Sequence, residues 1–224
     1  MTLRLLPILA LAALPALAEA PNLSRPASGA PGSAARLVLA QRAQQAALER
    51  GEVMALLAAI RLARGISQRP AVGWTRETEG KARLDAPPGN PAAPDPGGEA
   101  AMAMARNLAG EDPDLQDLVY ALDAQLPHGA LPTALVATAE LAPGQTDRWT
   151  LPLFGEVAAE IGLIGDGDGP LTLALTDETG AILCARPASV QPVLCSLTPA
   201  RNGFFTVTIG NPGASVNSYR LIGN

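Results

Sequence analysis

The stretch that most constrains the fold runs from Asp166 to Asn224. It contains short segments in which apolar and polar residues alternate, such as LTLALT and TVTIG, separated by turns rich in Gly, Asn and Asp. This alternation is typical of strands that bury one face, and the close spacing of the turns favours antiparallel pairing. We therefore expect this part of the chain to lie in a β-sandwich, in which two sheets enclose one apolar core.

The same pattern begins further upstream, at about residue 133. It predicts seven or eight short strands between residues 133 and 224, including one at Leu135–Leu141 and one that passes through Trp149. Upstream of residue 133 the apolar residues recur at helical spacing instead. The predicted fold class is therefore α+β, with N-terminal helical hairpins followed by an antiparallel, jelly-roll-like β-sandwich.

The helical region spans residues 33–126 and is composed largely of strong helix formers. Ser33 is a plausible N-cap of the first helix, and Gly51 stands where that helix should end. Asp112, followed by proline, is the expected N-cap of the last helix. The predicted helices begin or end near Ser33, Gly51, Val53, Ala63, Glu99, Leu108 and Asp112.

A proline-rich linker is predicted within this region, at residues 66–98. Five prolines lie between Pro87 and Pro96, and proline fits neither a helix interior nor a central strand. Trp74 lies ahead of this run, and we expect it to cap the helical hairpin, although an exposed contact site is the alternative.

The first residues of the chain predict export. Residues 1–18 combine a basic residue, Arg4, with an apolar run and the small residues Ala16 and Ala18, which is typical of a secretory signal peptide. Residues 19–32 are rich in Pro, Ser, Gly and Ala and are predicted to form a flexible leader. We expect a periplasmic or secreted protein without a membrane span after signal cleavage.

The negative net charge of the chain argues against polyanionic partners. The full chain has a formal net charge of −5, and removal of Arg4 with the signal peptide makes the mature chain one unit more negative. Nucleic acids and anionic membrane surfaces attract basic proteins, so we expect neither as a partner.

Four segments of the C-terminal half carry a resemblance to a known family. They are GQTDRWTLPL, GDGDGPLTLALTDETGAIL, TPARNGFFTVTIGNPG and NSYRLIG, in that order. Together they resemble the bacterial pre-peptidase C-terminal domain, a β-sandwich appended to many secreted proteins. More narrowly, the chain is similar to exported alphaproteobacterial proteins of unknown function in which a helical half precedes such a domain. The resemblance covers about Thr138 to Asn224 and implies a domain at residues 133–224.

A calcium site is what this resemblance implies next. The family usually carries a DTDLDL entry to its central strand, whose carboxylates hold calcium, and the matching residues here are Asp166 and Asp168, with Asp177 at the far end. Pro170 and Thr172 stand where the family has further carboxylates. Because calcium favours six to eight oxygen ligands, a Gly-Asp turn without metal is the alternative. No other cofactor is expected.

The two cysteines of the chain, Cys184 and Cys195, are expected to form a disulfide. Export would place them in an oxidising compartment, and their strands are predicted to lie side by side. A redox-active pair would favour the closer CxxC spacing and a basic neighbourhood, which this sequence lacks.

No catalytic motif is evident in the sequence. His128 is the one histidine, it lies in the junction between the two halves, and no GxSxG motif is present. A zinc site would need several His, Cys or carboxylate ligands at defined spacing. We therefore expect that the protein is not an enzyme.

Two functions remain, with a hydrolase as a minor third. The first is a non-catalytic module that docks on an envelope or extracellular protein. The second is a module that binds polysaccharide or another polymer, since the resembled domain accompanies enzymes that act on insoluble substrates. Polymer binding often uses exposed aromatic side chains, but alternation places most of the β half's aromatic residues inward, which favours protein contact. The aromatic residues of the β half are Trp149, Phe154, Phe204, Phe205 and Tyr219.

Overall fold

A computed structural model describes residues 20–26, 30–83, 85–125 and 130–224. The predicted signal peptide (1–18) and His128 lie outside these residues. The described residues form four helices, in good agreement with the sequence prediction, and none of these helices is long and apolar enough to span a membrane. The helices are α1 (Ser33–Arg50), α2 (Val53–Arg64), α3 (Glu99–Ala109) and α4 (Pro113–Ala124).

Two of the predicted helix boundaries have the expected local chemistry. Gly51 adopts the left-handed conformation after α1, with φ of 69°, and its N–H bonds the last carbonyls of that helix. Asp112 caps α4, because its side chain accepts hydrogen bonds from the backbone N–H groups of Asp114 and Leu115.

The start of α1 differs from the prediction that Ser33 is its N-cap. Gly32 is the capping residue, and Ser33 instead donates its hydroxyl to the carbonyl of Thr133. The orphan N–H groups of the first turn are satisfied from the sandwich: the carboxylate of Glu160 accepts from Gly32 N at 2.7 Å and from Ala35 N at 2.9 Å. A tertiary contact therefore replaces the local cap, and a carboxylate also suits the positive end of the helix dipole.

The described residues also form eleven strands, eight of them between residues 133 and 224 as predicted. The first three are β1 (Arg25–Pro26), β2 (Ser67–Pro70) and β3 (Thr75–Glu79). The other eight are β4 (Thr133–Leu141), β5 (Thr146–Leu153), β6 (Ala159–Gly165), β7 (Leu171–Thr176), β8 (Ile182–Ser189), β9 (Val193–Thr198), β10 (Gly203–Gly210) and β11 (Asn217–Gly223).

These strands build two sheets that face each other. One sheet has the order β1-β9-β6-β11-β4-β2, and the other has the order β3-β5-β10-β7-β8. Pairing is antiparallel except between β2 and β4, which run parallel. Residues that alternate along the strands fill the space between the sheets, among them Leu151, Leu173, Phe205, Val207 and Leu221. The predicted α+β fold class with a β-sandwich is therefore confirmed.

Helix α1 covers the outer face of the first sheet, so the molecule has three layers. Leu37 and Val38 of α1 pack against Ile164 and Ile222 of the two central strands, β6 and β11. Every residue of β11 is consequently buried, although its alternate residues point to opposite faces. Helices α2, α3 and α4 share a separate apolar cluster built around residues such as Leu56, Ile60 and Met102.

Part of the predicted linker 66–98 is not a linker. Residues 67–70 and 75–79 form β2 and β3, which extend the two sheets at one edge each. Trp74, between them, packs against the sandwich core beside Gly223 rather than capping the helical hairpin. The proline-rich run, whose five prolines lie between Pro87 and Pro96, lacks helix and strand, as expected for proline.

The structure also differs from the flexible leader predicted for residues 19–32. Asn22 is completely buried, and its backbone N–H donates to Asp177 at 2.7 Å. Its side-chain amide bonds Glu178 and the carbonyl of Arg201. Residues 25 and 26 then add the short strand β1 to the first sheet. A single asparagine thus anchors a segment whose composition indicated no burial.

The predicted disulfide between Cys184 and Cys195 is confirmed, with 6.0 Å between the two Cα atoms. Its place differs from the prediction in one respect. The two strands are not neighbours in one sheet, because Cys184 lies on β8 of the second sheet and Cys195 on β9 of the first. The disulfide therefore closes one side of the sandwich by joining its two layers.

Candidate functional site

The carboxylates predicted as calcium ligands are used to hold the chain together. Asp166 accepts hydrogen bonds from the backbone N–H of Ser218 at 2.6 Å and from that of Asp168 at 3.0 Å. Asp168 accepts from both the backbone and the side-chain amide of Asn90. Asp168 therefore fastens the proline-rich run to the turn between β6 and β7, and Asp166 ties the same turn to the start of β11.

The third predicted ligand, Asp177, lies at the opposite end of β7, about 20 Å from the other two on the rise per residue of a six-residue strand. One oxygen of its carboxylate accepts from the backbone N–H groups of Thr179 and Ala181 and from the Thr179 hydroxyl. Burial alone would raise the pKa of Asp177, but these hydrogen bonds and the one from Asn22 hold it below its ordinary value. This carboxylate organises the turn between β7 and β8.

The structure therefore does not bring the three aspartates together. Across the described ranges, no group of three or more His, Cys, Asp or Glu side chains is placed to hold a metal ion. Since calcium favours six to eight oxygen ligands, the arrangement corresponds to the alternative reading, in which Asp166 and Asp168 belong to a Gly-Asp turn.

A buried polar network that the sequence did not predict lies inside the sandwich. Asp147 on β5 is completely buried and accepts hydrogen bonds from the hydroxyls of Tyr219 and Thr78. Arg76 forms a salt bridge with the same carboxylate at 2.8 Å, and Trp149 donates its indole N–H to Tyr219 at 2.7 Å. The network joins β3, β5 and β11. Its groups are all engaged with one another, so it stabilises the fold rather than offering a reactive centre.

We predict that stability falls above pH 10 and that Tyr219→Phe removes part of this fall. Burial, and to a smaller extent the hydrogen bond to Asp147, raises the pKa of Tyr219 above its ordinary value of 10.0. The unfolded chain therefore loses this proton first as the pH rises. The contribution of Tyr219 is complete below pH 10 and is lost progressively above it, with a slope of up to about 1.4 kcal/mol per pH unit.

Urea unfolding between pH 8 and pH 11.5 measures this slope. Tyr120→Phe is the matched control, because Tyr120 is exposed on α4 and takes no part in the network. The control should keep the wild-type slope, while Tyr219→Phe should flatten it. Equal slopes in all three proteins would contradict the role assigned to Tyr219.

The aromatic residues of the β half divide into two groups. Trp149, Phe205 and Tyr219 are buried, as alternation predicted, while Phe154 and Phe204 are each 65% exposed. Phe204 pairs with Pro152 in the second sheet, and Phe154 follows the end of β5. Because Trp149 is buried, the exposed aromatic surface of this half is small.

A mostly apolar groove of about 270 Å³ lies between α2 and α4. Its floor is closed by buried leucines, and its walls carry apolar side chains that reach into solvent: Met54 is 59% exposed and Leu118 is 43% exposed. One cation, Arg61, lines the same groove. The residues that form it are Met54, Leu57, Arg61, Leu118, Ala121 and Leu122.

Salt bridges link the helices around this groove to one another. Asp123 of α4 pairs with Arg64 of α2 at 3.2 Å and with Arg106 of α3 at 2.8 Å. The hydrogen bond from Arg64, together with the contacts from Arg106, lowers the pKa of Asp123. Arg106 also pairs with Glu99 at the start of α3. The groove is therefore a preformed feature of three tethered helices, and helical periodicity alone could not have revealed it because two distant helices form it.

Comparison with known proteins finds similar solved structures but no related sequence. No family model matches the sequence, and no curated protein matches it. Similar solved structures include the pre-peptidase C-terminal domain of a Bacillus anthracis collagenase, with 15% identity, a TM-score of 0.33 and coverage of 39% of this chain and 86% of that one. They also include the Yersinia pseudotuberculosis-derived mitogen, with 13% identity, a TM-score of 0.30 and coverage of 42% and 86%.

A third similar structure is the capsular polysaccharide assembling protein of Staphylococcus aureus. It has 13% identity and a TM-score of 0.24, and the alignment covers 51% of this chain but only 34% of that one. With TM-scores this low, none of the three identifies an activity. The chain carries a β-sandwich module, and its function has to be argued from its own surface.

Proposed function

We propose that this protein is an exported, non-catalytic interaction module with a sandwich of the pre-peptidase C-terminal type, which docks on an envelope protein through its helical half. The observation that carries the proposal is the groove between α2 and α4, where Met54 and Leu118 leave much of their apolar surface in solvent. Solvent-exposed apolar surface of this kind costs free energy in a monomer and commonly marks a protein-binding site.

The chemistry of the groove indicates what the partner offers. Leu57 and Leu122 at its floor would accept two or three apolar side chains from one helix or extended segment. Arg61 forms no salt bridge with any residue in the described part of the chain, so its charge is available to a partner carboxylate. The expected partner segment is therefore apolar on one face and acidic at its edge.

Export and the lack of catalysis are parts of the same proposal. The signal-like residues 1–18 and the disulfide Cys184–Cys195 both suit an oxidising compartment. The carboxylates of Asp147, Glu160 and Asp177 are buried, and both oxygens of each accept hydrogen bonds from neighbouring residues. A carboxylate engaged in this way has no free oxygen for proton transfer to a substrate.

A photo-crosslinking amino acid at Ala121, inside the groove, tests the docking surface in the full-length protein in its own cells. The matched control places it at Leu39, which is 52% exposed on α1 and lies outside the groove. We expect one envelope protein to crosslink at Ala121 and not at Leu39. Arg61→Glu should weaken this crosslink at least fivefold, and replacing the partner's carboxylate with lysine should restore it.

Two results would contradict the docking proposal. Crosslinking at Ala121 that does not exceed the level at Leu39 would show that the groove has no specific partner. Crosslinks that join two copies of this chain would make the groove a self-association surface instead of an envelope-protein site.

Polysaccharide binding is the second candidate, because Phe154 and Phe204 expose 65% of their surface on the β half. Aromatic rings stack on the apolar faces of sugars and are the usual contacts of such modules. Retention of the mature protein on purified envelope polysaccharide, lost in Phe204→Ala but kept in Arg61→Glu, would favour this function over protein docking.

A further inference from the structure

The groove between α2 and α4 has walls that repeat at helical spacing. Its lining residues on α2 stand at positions i, i+3, i+4 and i+7, and they are Met54, Leu57, Ala58 and Arg61. The lining residues of α4 run from Leu118 to Gln125 at the same intervals. Residues at these intervals form one stripe along a helix, so two stripes of about two turns each bound the groove.

The polar ends of the two stripes lie at the same end of the groove. Arg64, the last residue of α2, donates to the carbonyl of Leu122 at 2.9 Å and pairs with Asp123 near the end of α4. These contacts tie the C-terminal ends of the two helices together. The last lining residue of each helix, Arg61 or Gln125, therefore lies at the tied end. The opposite end is apolar, because the first lining residue of each helix forms it.

The backbone of α2 and α4 favours a helix over an extended segment in this groove. Within each helix the N–H and C=O groups bond to one another, so the walls offer no backbone partner to an incoming chain. An extended segment would leave its own backbone groups unpaired against apolar side chains. A helix satisfies these groups internally and presents its side chains at the spacing of the two stripes.

The middle of the groove allows a helix to pack closely. Each stripe has an exposed alanine at its centre, Ala58 on α2 and Ala121 on α4, beside a leucine that is only 8% exposed. Small side chains let helix axes approach to about 8–10 Å. A groove about 10 Å long covers far less surface than the roughly 1,000 Å² that a stable dimer needs, which favours a single helix of a partner over a second copy of this chain.

Charge sets the direction of the docked helix. Arg61 is exposed and forms no salt bridge within the described ranges, so the tied end of the groove carries an uncompensated positive charge. Acidic residues are favoured in the first turn of a helix, because the helix dipole is positive there. A partner helix that runs antiparallel to α2 and α4 places its first turn beside Arg61.

We propose that the groove binds a short amphipathic α-helix of the partner protein, antiparallel to α2 and α4. An acidic residue in the first turn of that helix pairs with Arg61, and its apolar residues, three or four positions apart, lie between the two stripes. The inference rests on the docking proposed above for the same groove, and it adds the conformation and the direction of the docked segment.

Photo-crosslinking from the two ends of the groove tests this geometry in the full-length protein in its own cells. One variant carries the crosslinking amino acid at Gln125 and a second carries it at Leu118. The matched control carries it at Tyr120, which is exposed on the same helix outside the groove. Mass spectrometry then locates the crosslinked residues of the partner.

The separation of these residues distinguishes the two conformations. The two crosslinking positions lie about 10 Å apart, a distance that about seven residues span in a helix and about three span in an extended segment. We expect the partner residue reached from Gln125 to precede the one reached from Leu118 by about seven positions.

Proline in the partner supplies a second test. Proline at the position midway between the two crosslinked residues should reduce capture by about a hundredfold, because it disrupts a helix interior. Alanine at the same position keeps the helix and is the matched control, with an expected loss of less than about tenfold.

The outcomes separate this inference from the docking on which it rests. Crosslinking that does not exceed the level at Tyr120, or that joins only copies of this chain, would overturn both. Specific crosslinks about three positions apart, crosslinks in the reverse order, or undiminished capture of the proline variant would leave the docking intact and overturn the antiparallel helix.

Discussion

Asp147→Ala is expected to lower the free energy of unfolding by about 3 kcal/mol. The change removes the acceptor of the buried Tyr219 hydroxyl and of the exposed Thr78 hydroxyl, and the counter-ion of Arg76. A buried donor left without a partner costs about 1–3 kcal/mol. The contribution of Arg76 is the smaller part, because its side chain is 31% exposed and water would solvate it once the salt bridge is lost.

Urea unfolding followed by tryptophan fluorescence measures this loss, since Trp149 belongs to the network. Asp147→Asn retains one carbonyl oxygen as an acceptor and should cost roughly half as much. Glu77→Ala is the matched control on the neighbouring strand β3, where the carboxylate is exposed, and it should change stability by less than about 0.5 kcal/mol. A stability of Asp147→Ala equal to that of the control would contradict the structural role of the network.

The same residue shows why the polar interior could not be predicted. In the sequence, Asp147 lies in GQTDRWTLPL, two residues before Trp149 in the predicted strand. Its burial depends on β3, which pairs with β5 and brings Thr78 opposite Asp147. That strand comes from the predicted linker, about seventy positions earlier in the chain. Pairings between such distant segments leave no local period in the sequence, so pattern analysis misses them.

Local features, by contrast, were predicted well. Helix α1 begins at Ser33, and the stop at Gly51 is observed because a left-handed glycine ends a helix through contacts with its own last turn. Alternation also predicted the strands of the sandwich. Two strands depart from strict alternation, YRLIG in β11 and EIGLIG in β6, and this departure indicates burial on both faces. Strands buried on both faces read in this way, and here α1 covers the second face.

In the candidate sites, too, local motifs were recognised and contacts between distant segments were not. The aspartates in GDGDG were recognised by motif, yet their hydrogen bonds to Asn90 and Ser218 serve to attach a distant segment. A helical pattern separates apolar from polar faces and does not reveal what lies opposite, so it did not predict that Gln41 and Gln44 of α1 are buried. Gln41 accepts a hydrogen bond from Arg220 of β11 and donates one to Gln44.

Removal of the disulfide by the double change Cys184→Ala and Cys195→Ala is expected to cost about 3 kcal/mol of stability. The bond closes a loop of 11 residues in sequence separation, and it restricts the unfolded chain more than the folded one. It also joins β8, which forms the edge of the second sheet, to β9 of the first. For a chain of this length, such a loss corresponds to a decrease in Tm of about 6–12 °C.

Thermal unfolding of both proteins with and without dithiothreitol measures this effect and supplies its own control. The reductant should lower the Tm of the wild type towards that of the double variant, and it should leave the variant unchanged. Thiol alkylation in intact cells then connects stability with export, because the mature wild-type protein should resist the reagent until it is reduced. A mature protein that reacts at once would mean that it resides in a reducing compartment, where the sandwich must be stable without this bond.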